Sequence, residues 1–194
     1  MDLGDEEILE VAASRVSPGS EGLLLVPYWN TTSTPYWDTQ ASGVMLGFRG
    51  RHKKAHVYRA VMEGIAFEQR LGTDGMEKGL DRPIETLLAT GGGSRSPLFS
   101  QIVADVTGKP VTLCKEVETT ALGAAVFAAA ATDDSQDIRE VAATMSGEGE
   151  TYEPDEKRAK LYDRIYNDVY KEIYPRLAPL FPALADATKT TEDG

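Results

Sequence analysis

Apolar positions along the chain follow two rhythms. Short continuous runs predict strands: Leu23-Leu24-Leu25-Val26, Val44-Met45-Leu46-Gly47-Phe48, Ile84 to Thr90, and Pro110-Val111-Thr112-Leu113-Cys114. The first fits a strand buried on both faces. Between them, steps of three and four predict helices. Lys54 to Leu71 carries Val57, Val61, Ile65, Phe67 and Leu71 as an apolar stripe, with Arg59 and Glu63 placed to pair on its surface. Gly72 is placed to end that helix, and Gly75, Gly79 and Asp81-Arg82-Pro83 read as a turn region. Ser96 followed by Pro97 is an N-cap with proline at the first helical position, and Gly108 closes the helix. Thr119 or Thr120 caps an alanine-rich helix, Ala121 to Ala131, whose small residues imply close packing. Further helices are expected over Glu6–Val16, Ile138–Met145 and Asp155–Tyr174. The last has a face of Tyr162, Tyr166 and Tyr170 and ends at Pro175 and Pro179, leaving Ala185 onward as a loose tail. Strands alternating with helices indicate an α/β layered fold.

Composition narrows the function classes. The 194 residues are 41% apolar and 26% charged, which is ordinary for a globular chain. Twenty basic residues against 31 acidic ones give a net charge of −11, a surface that repels nucleic-acid backbones. The chain has no apolar run long enough to span a membrane, and its acidic start lacks the features of a signal peptide, so no membrane partner and a cytoplasmic location are expected. A single cysteine, Cys114, leaves no internal disulfide and no zinc site built on paired cysteines. His52 and His56 stand four apart without the acid of a zinc-binding HEXXH run, and read as a solvated helix start. No metal site is expected.

The most informative segment is residues 84–108. A short apolar strand leads into Gly91-Gly92-Gly93-Ser94-Arg95-Ser96, and a capped helix begins at once. Glycines allow a ligand to touch the backbone, and a helix start offers unpaired N–H groups and a positive dipole end. Such a loop suits the phosphates or ribose of a nucleotide; a plain strand-to-helix turn is the alternative. Gly108-Lys109-Pro110 fails as a P-loop, and Ser96 stands where the dinucleotide fingerprint needs its third glycine.

Five segments in order carry a resemblance. They are Leu25-Val26-Pro27-Tyr28 with Pro35-Tyr36-Trp37-Asp38; Gly43 to Gly47; Tyr58 to Ala66; Gly91 to Ser96 with Ala104 to Pro110; and Glu118 to Ala125. Together they are similar to the C-terminal, ATP-binding half of the FGGY family of carbohydrate kinases, within the actin-like ATPase (ribonuclease H-like) superfamily. The tyrosine-rich last helix looks most like xylulokinase-type members. The resemblance implies two actin-like domains flanking a cleft, with sugar held mainly by the N-terminal one. It makes residues 21–182 a partial nucleotide-binding domain, 1–20 an N-terminal segment from a truncated start, and 183–194 a flexible tail.

By position, Gly92 would approach phosphate and Ser96 would lie beside the adenosine, with Gly91, Gly93 and Ser94 completing the loop. The implied cofactors are ATP and Mg²⁺, and the implied acceptor is a sugar or polyol, most like a xylulose-type pentulose. The family's catalytic aspartate and its other phosphate-gripping turn precede the matched region, so no catalytic residue is expected in this chain. The partner is then the missing N-terminal half, or a second copy through a sheet edge left unpaired. A non-catalytic ATP-binding or assembly module, or an inactive fragment, is the alternative. Among single residues, Asp38 reads as a structural hydrogen-bonding group and Arg95 as exposed. Trp29, Trp37, Tyr28 and Tyr36 read as filler between strand and helix, with sugar stacking as the alternative.

Overall fold

A computed structural model describes residues 5–32, 35–116, 118–132 and 137–189. Helix α1 (Asp5–Ser14) leads through a short 3₁₀ turn to β1 (Leu24–Val26), which pairs antiparallel with β2 (Val44–Leu46). The long helix α2 (Lys54–Leu80) follows, then β3 (Leu87–Ala89), α3 (Pro97–Thr107) and β4 (Val111–Cys114). After α4 (Thr119–Ala130) and α5 (Ile138–Met145), β5 (Glu148–Tyr152) returns to the sheet. The second sheet has the order β3-β4-β5, the first pair parallel and the second antiparallel. Helix α6 (Glu156–Ile165), a π-helical turn (Tyr166–Tyr170), α7 (Lys171–Leu177) and α8 (Leu180–Ala187) complete the chain. No helix among the described residues is long and apolar enough to cross a membrane.

The main core gathers Leu24, Val26, Met62, Phe67, Ile102 and Val106 with the tyrosines of the last helical run. Gly64 is required where α2 lies on β1: a Cβ there would stand 2.2 Å from the Leu25 carbonyl oxygen. The expected stripe on α2 is rotated. Ala60, Met62, Glu63, Ala66 and Phe67 face inward, while Val57 and Val61 are only partly buried, against Leu23, Leu25 and Ala60. Tyr162, Tyr166 and Tyr170 all lie buried and donate their hydroxyls to carboxylates on α2, respectively Glu63 (2.7 Å), Asp74 (2.8 Å) and Glu68 (2.7 Å). In an α-helix, four-residue steps drift by about 40° each. The wider π-turn reduces that drift and keeps the tyrosines against Phe67.

Arg59 and Glu63 form a buried pair rather than a surface one, with Nε to Oε1 at 2.8 Å. The Glu63 carboxylate also accepts from Gly19 N (2.9 Å), Ser20 Oγ (2.8 Å) and the Tyr162 hydroxyl. The guanidinium reaches the Ala13 carbonyl (3.3 Å) and the Tyr162 oxygen (3.1 Å). Ser20 and Glu21 hold positive φ of 47° and 53°, a strain of roughly 1–3 kcal/mol each. The Ser20–Glu63 bond helps to fix that turn.

Several expectations are corrected. Helix α2 does not stop at Gly72. It runs to Leu80 and ends at Asp81, whose φ is 50°. Gly72, Gly75 and Gly79 face open space, so each costs only helix propensity, about 1 kcal/mol. Glu77 then anchors the helix end, accepting from Lys109 Nζ and Ile84 N, both at 2.7 Å. Pro175 lies inside α7, and α8 occupies the segment up to Ala187 where a loose tail was expected; residues 190–194 lie outside the described residues. The strand expected over Ile84–Thr90 contracts to Leu87–Ala89. Thr119 and Thr120 lie within α4 rather than capping it. Helix α4 does lie close against α5, but the packing covers only part of it: among the described residues Val126 is its one buried side chain, and Phe127 is 69% exposed. Polar β5 escaped notice because it has no apolar face; its pairing with β4 defines it.

Replacing Glu63 by alanine strands a buried guanidinium. We expect Glu63→Ala to cost about 3–5 kcal/mol, read as a lower urea midpoint; an unchanged midpoint would show that the network contributes nothing. Burial, with neighbouring carboxylates, holds Tyr28, Tyr162, Tyr166 and Tyr170 well above the ordinary tyrosine value. A folded-state pKa raised in this way gives stability that is complete below the unfolded value, about pH 10, and is lost as pH rises beyond it. Tyrosinate absorbance should therefore appear together with loss of helical circular dichroism in an alkaline titration. A tyrosinate signal that develops fully in a folded chain would contradict this.

Candidate functional site

Strand β3 delivers the chain into the glycine loop, and the backbone explains why glycine leads. Gly91 takes φ 78°, ψ −169°, a region essentially reserved for glycine. Residues Gly92–Arg95 then form a 3₁₀ turn. Ser94 closes it, its N–H and Oγ both donating to the Gly91 carbonyl at 3.1 and 2.7 Å. A Cβ on Gly93 would stand 3.3 Å from the Phe99 ring, whereas nothing lies within 4 Å of one on Gly91 or Gly92. The backbone there is open to a ligand. Positive φ belongs to Gly91 and not to Gly92, so a side chain on Gly92 would enter open space without backbone strain.

Ser96 caps α3 as its sequence predicts, accepting from Phe99 N at 3.0 Å. Its hydroxyl donates to Glu10 Oε1 at 2.6 Å, and Leu98 N reaches the same oxygen at 3.4 Å. The start of α3 therefore already faces a carboxylate from α1. An incoming phosphate meets open backbone at Gly91 and Gly92, and meets competition at the helix end itself. Arg95 is exposed and pairs loosely with Glu118 at 3.4 Å.

Beneath the loop lies a hollow of about 360 Å³ between β3, α2 and α3. Ser100 lines it, and its buried Oγ has no hydrogen-bond partner among the described residues. The structure thus gathers Gly91, Gly92, Gly93, Ser94 and Ser96 into one turn, with Ser96 engaged elsewhere. Sequence reasoning missed Glu10, which stands 86 positions from Ser96 and carries no local signal. Ser100 was accessible by helical spacing, one turn after Ser96. The loop geometry fits a nucleotide phosphate. Among the described residues no group of three or more His, Cys, Asp or Glu could hold a metal ion. The two histidines are not solvated: His52 is buried, and His56 accepts from Lys53 N at 3.2 Å.

Asp38 behaves as expected, accepting from Gln40 N and from the Tyr174 hydroxyl, both at 2.8 Å. Tyr28 is buried and Tyr36 packs on Tyr174, as filler should. The two tryptophans do not fill that gap: Trp29 is 61% exposed and Trp37 75% exposed.

A strand running into an open glycine turn and a capped helix, beside a mixed sheet, defines an α/β domain. Residues 2–132 match the model of the FGGY family of carbohydrate kinases, C-terminal domain. The chain is 36% identical over 156 residues to a glycerol kinase of Deinococcus radiodurans, covering 79% of this chain and 31% of that protein. It is 31% identical over 159 residues to a gluconokinase of Bacillus licheniformis, covering 82% and 31%. The crystal structure of xylulose kinase from Rhodospirillum rubrum superposes with a TM-score of 0.76 at 31% identity, over 91% of this chain and 35% of that one. The chain belongs to the FGGY family of carbohydrate kinases and corresponds to its C-terminal domain, with the actin-like fold of that family. It spans about a third of the length of these relatives. The family match begins at residue 2, so the segment before residue 21 lies within it.

Proposed function

We propose that this chain is the nucleotide-binding portion of an ATP-dependent carbohydrate kinase that phosphorylates a sugar or polyol hydroxyl, with a xylulose-like pentulose as acceptor. The observation that carries the reading is the open backbone of Gly91 and Gly92 at the end of β3, in a chain of the FGGY family. Relatives named for glycerol, gluconate and xylulose support the acceptor class, and the likeness to a xylulose kinase supports the pentulose.

ATP with Mg²⁺ would supply the phosphoryl group and neutralise its charge; such transfer depends on positioning and electrostatics. On this side of the site, Gly92 would let phosphate approach the backbone. Gly91 sets the turn, and Ser94 locks it. Ser96 would reach the adenosine only by exchanging its bond to Glu10. The base that takes the acceptor's proton would come from the remainder of a kinase, in the same polypeptide or a companion one. That partner would also cover the outer edge of β3, where Leu88 is 60% exposed, and the apolar side of α4. Without it, self-association through the same edge is expected. We place the protein in the cytoplasm, where the phosphorylated acceptor would be used. The Glu10 carboxylate at the start of α3 favours a second reading, a non-catalytic assembly module.

The purified chain, given ATP, Mg²⁺ and glycerol, D-gluconate or D-xylulose, should show no useful turnover until the N-terminal portion of a family kinase is added. Calorimetry should give an ATP affinity weaker than ~1 mM, about −4 kcal/mol. Gly92→Val should remove this binding while leaving the melting temperature unchanged. Turnover by the chain alone would overturn the division of labour, and equal ATP affinity in both proteins would place the nucleotide elsewhere. Light scattering across a concentration series should show self-association. A monodisperse 21.0 kDa species with one cooperative melt would mean that the chain needs no cover.

A further inference from the structure

Helix α3 begins with no donor to spare. Pro97 brings no N–H. Leu98 N reaches Glu10 Oε1 at 3.4 Å, Phe99 N donates to Ser96 Oγ at 3.0 Å, and Ser100 N donates to the Ser96 carbonyl at 3.0 Å. The Ser96 hydroxyl itself donates to Glu10 Oε1 at 2.6 Å. A hydroxyl and a backbone N–H at a helix start thus converge on one carboxylate oxygen. A bound anion would be held there in the same way, and the chain fills the place with its own side chain.

Glu10 is not placed by these two bonds alone. It is half-buried on α1, and the buried Ala13 of that helix accepts at its carbonyl from the Arg59 guanidinium at 3.3 Å. Arg59 is in turn paired with Glu63 in the core. A segment anchored elsewhere therefore carries the carboxylate to α3, 86 positions away in sequence. The helix already has a local cap, since Ser96 Oγ accepts from Phe99 N. What Glu10 adds is a fixed negative charge where the glycine loop ends. Two neighbouring positions then differ in preference. The open backbone at Gly91 and Gly92 accepts an anion, and the start of α3 repels one.

We propose that Glu10 sets the register of the nucleotide, a positioning role that rests on the nucleotide reading of the loop. Its carboxylate bars phosphate from the start of α3. Phosphate then lies on the backbone of Gly91 and Gly92, and an uncharged part of the nucleotide, its ribose or base, lies at Ser96. Selection works by repelling the wrong register as much as by favouring the right one.

The two ends can be probed separately by following amide shifts in the nitrogen-15-labelled chain. Inorganic tripolyphosphate should shift Gly91 and Gly92 in the wild type and leave Leu98 unmoved, while adenosine should shift Ser96. Glu10→Gln keeps an acceptor for both donors and removes the charge. In that variant tripolyphosphate should shift Leu98 as well, and should bind about tenfold more tightly. Added potassium chloride should narrow that gap, because the repulsion is screened. A Leu98 shift with tripolyphosphate in the wild type would overturn the proposal, and so would an adenosine titration that leaves Ser96 unmoved. A lower melting temperature in Glu10→Gln with neither a Leu98 shift nor tighter binding would also overturn it, and would mark Glu10 as structural. Silence of Gly91 and Gly92 in both proteins is a distinct result: it would overturn the nucleotide reading, and the register with it.

Discussion

The carboxylate of Glu63 organises the part of the molecule on which everything else is stacked. It sits midway along α2, out of water, and binds the guanidinium of Arg59 on its own helix and a phenol, a hydroxyl and a backbone N–H from two other segments. A buried charge is tolerable only when paired and fully hydrogen-bonded. This requirement fixes where α1, the strained turn at Ser20 and α6 can lie relative to α2. The Arg158–Asp105 pair repeats the device between α6 and α3, with Asp105 buried and also accepting from Asp155 N. Polar bonds therefore set the helix arrangement, and the tyrosine column against Phe67 fills the space between them.

The glycine loop inherits its geometry from this frame. Helix α1 is held against α2, and α1 in turn presents Glu10 to the start of α3. The side of the loop at Gly91 and Gly92 stays open while the helix end is occupied. A carboxylate at a helix N-terminus is favourable in its own right. Any anion arriving at this loop must bind backbone ahead of that helix, or displace Glu10. The sheet beside the loop is held from one side only: β3 pairs with β4, and its other edge meets no strand among the described residues. The same sheet thus carries the glycine turn and, among the described residues, an edge with no partner strand.

Much of this was legible in the chain. Ser96-Pro97 and Gly108 delimit α3 because capping is local chemistry: the residues that satisfy the helix ends are its neighbours in sequence. The tyrosine face of the last helical run and the apolar runs at β1 and β4 were legible for the same reason, periodicity. The segments shared with the FGGY family identified the domain, since the glycine loop and the helices around it are contiguous pieces of sequence.

What local rules could not supply, tertiary contacts decided. Gly72 looks like a helix end, yet α2 continues past it because Glu77, Lys109 and Ile84 anchor the far end. Arg59 and Glu63 have the spacing of a surface pair, but α1 and α6 bury them. Glu10 reaches Ser96 across 86 positions, and no motif encodes that meeting. Trp29 and Trp37 are apolar by type and exposed by placement. Sequence by itself determined most of the elements and the family, because backbone hydrogen bonding and side-chain periodicity act over a few residues; β5 and the far end of α2 needed their tertiary partners. Tertiary structure decided which charges are buried and which end of the loop is open, because burial and desolvation depend on segments that meet only when the chain is packed.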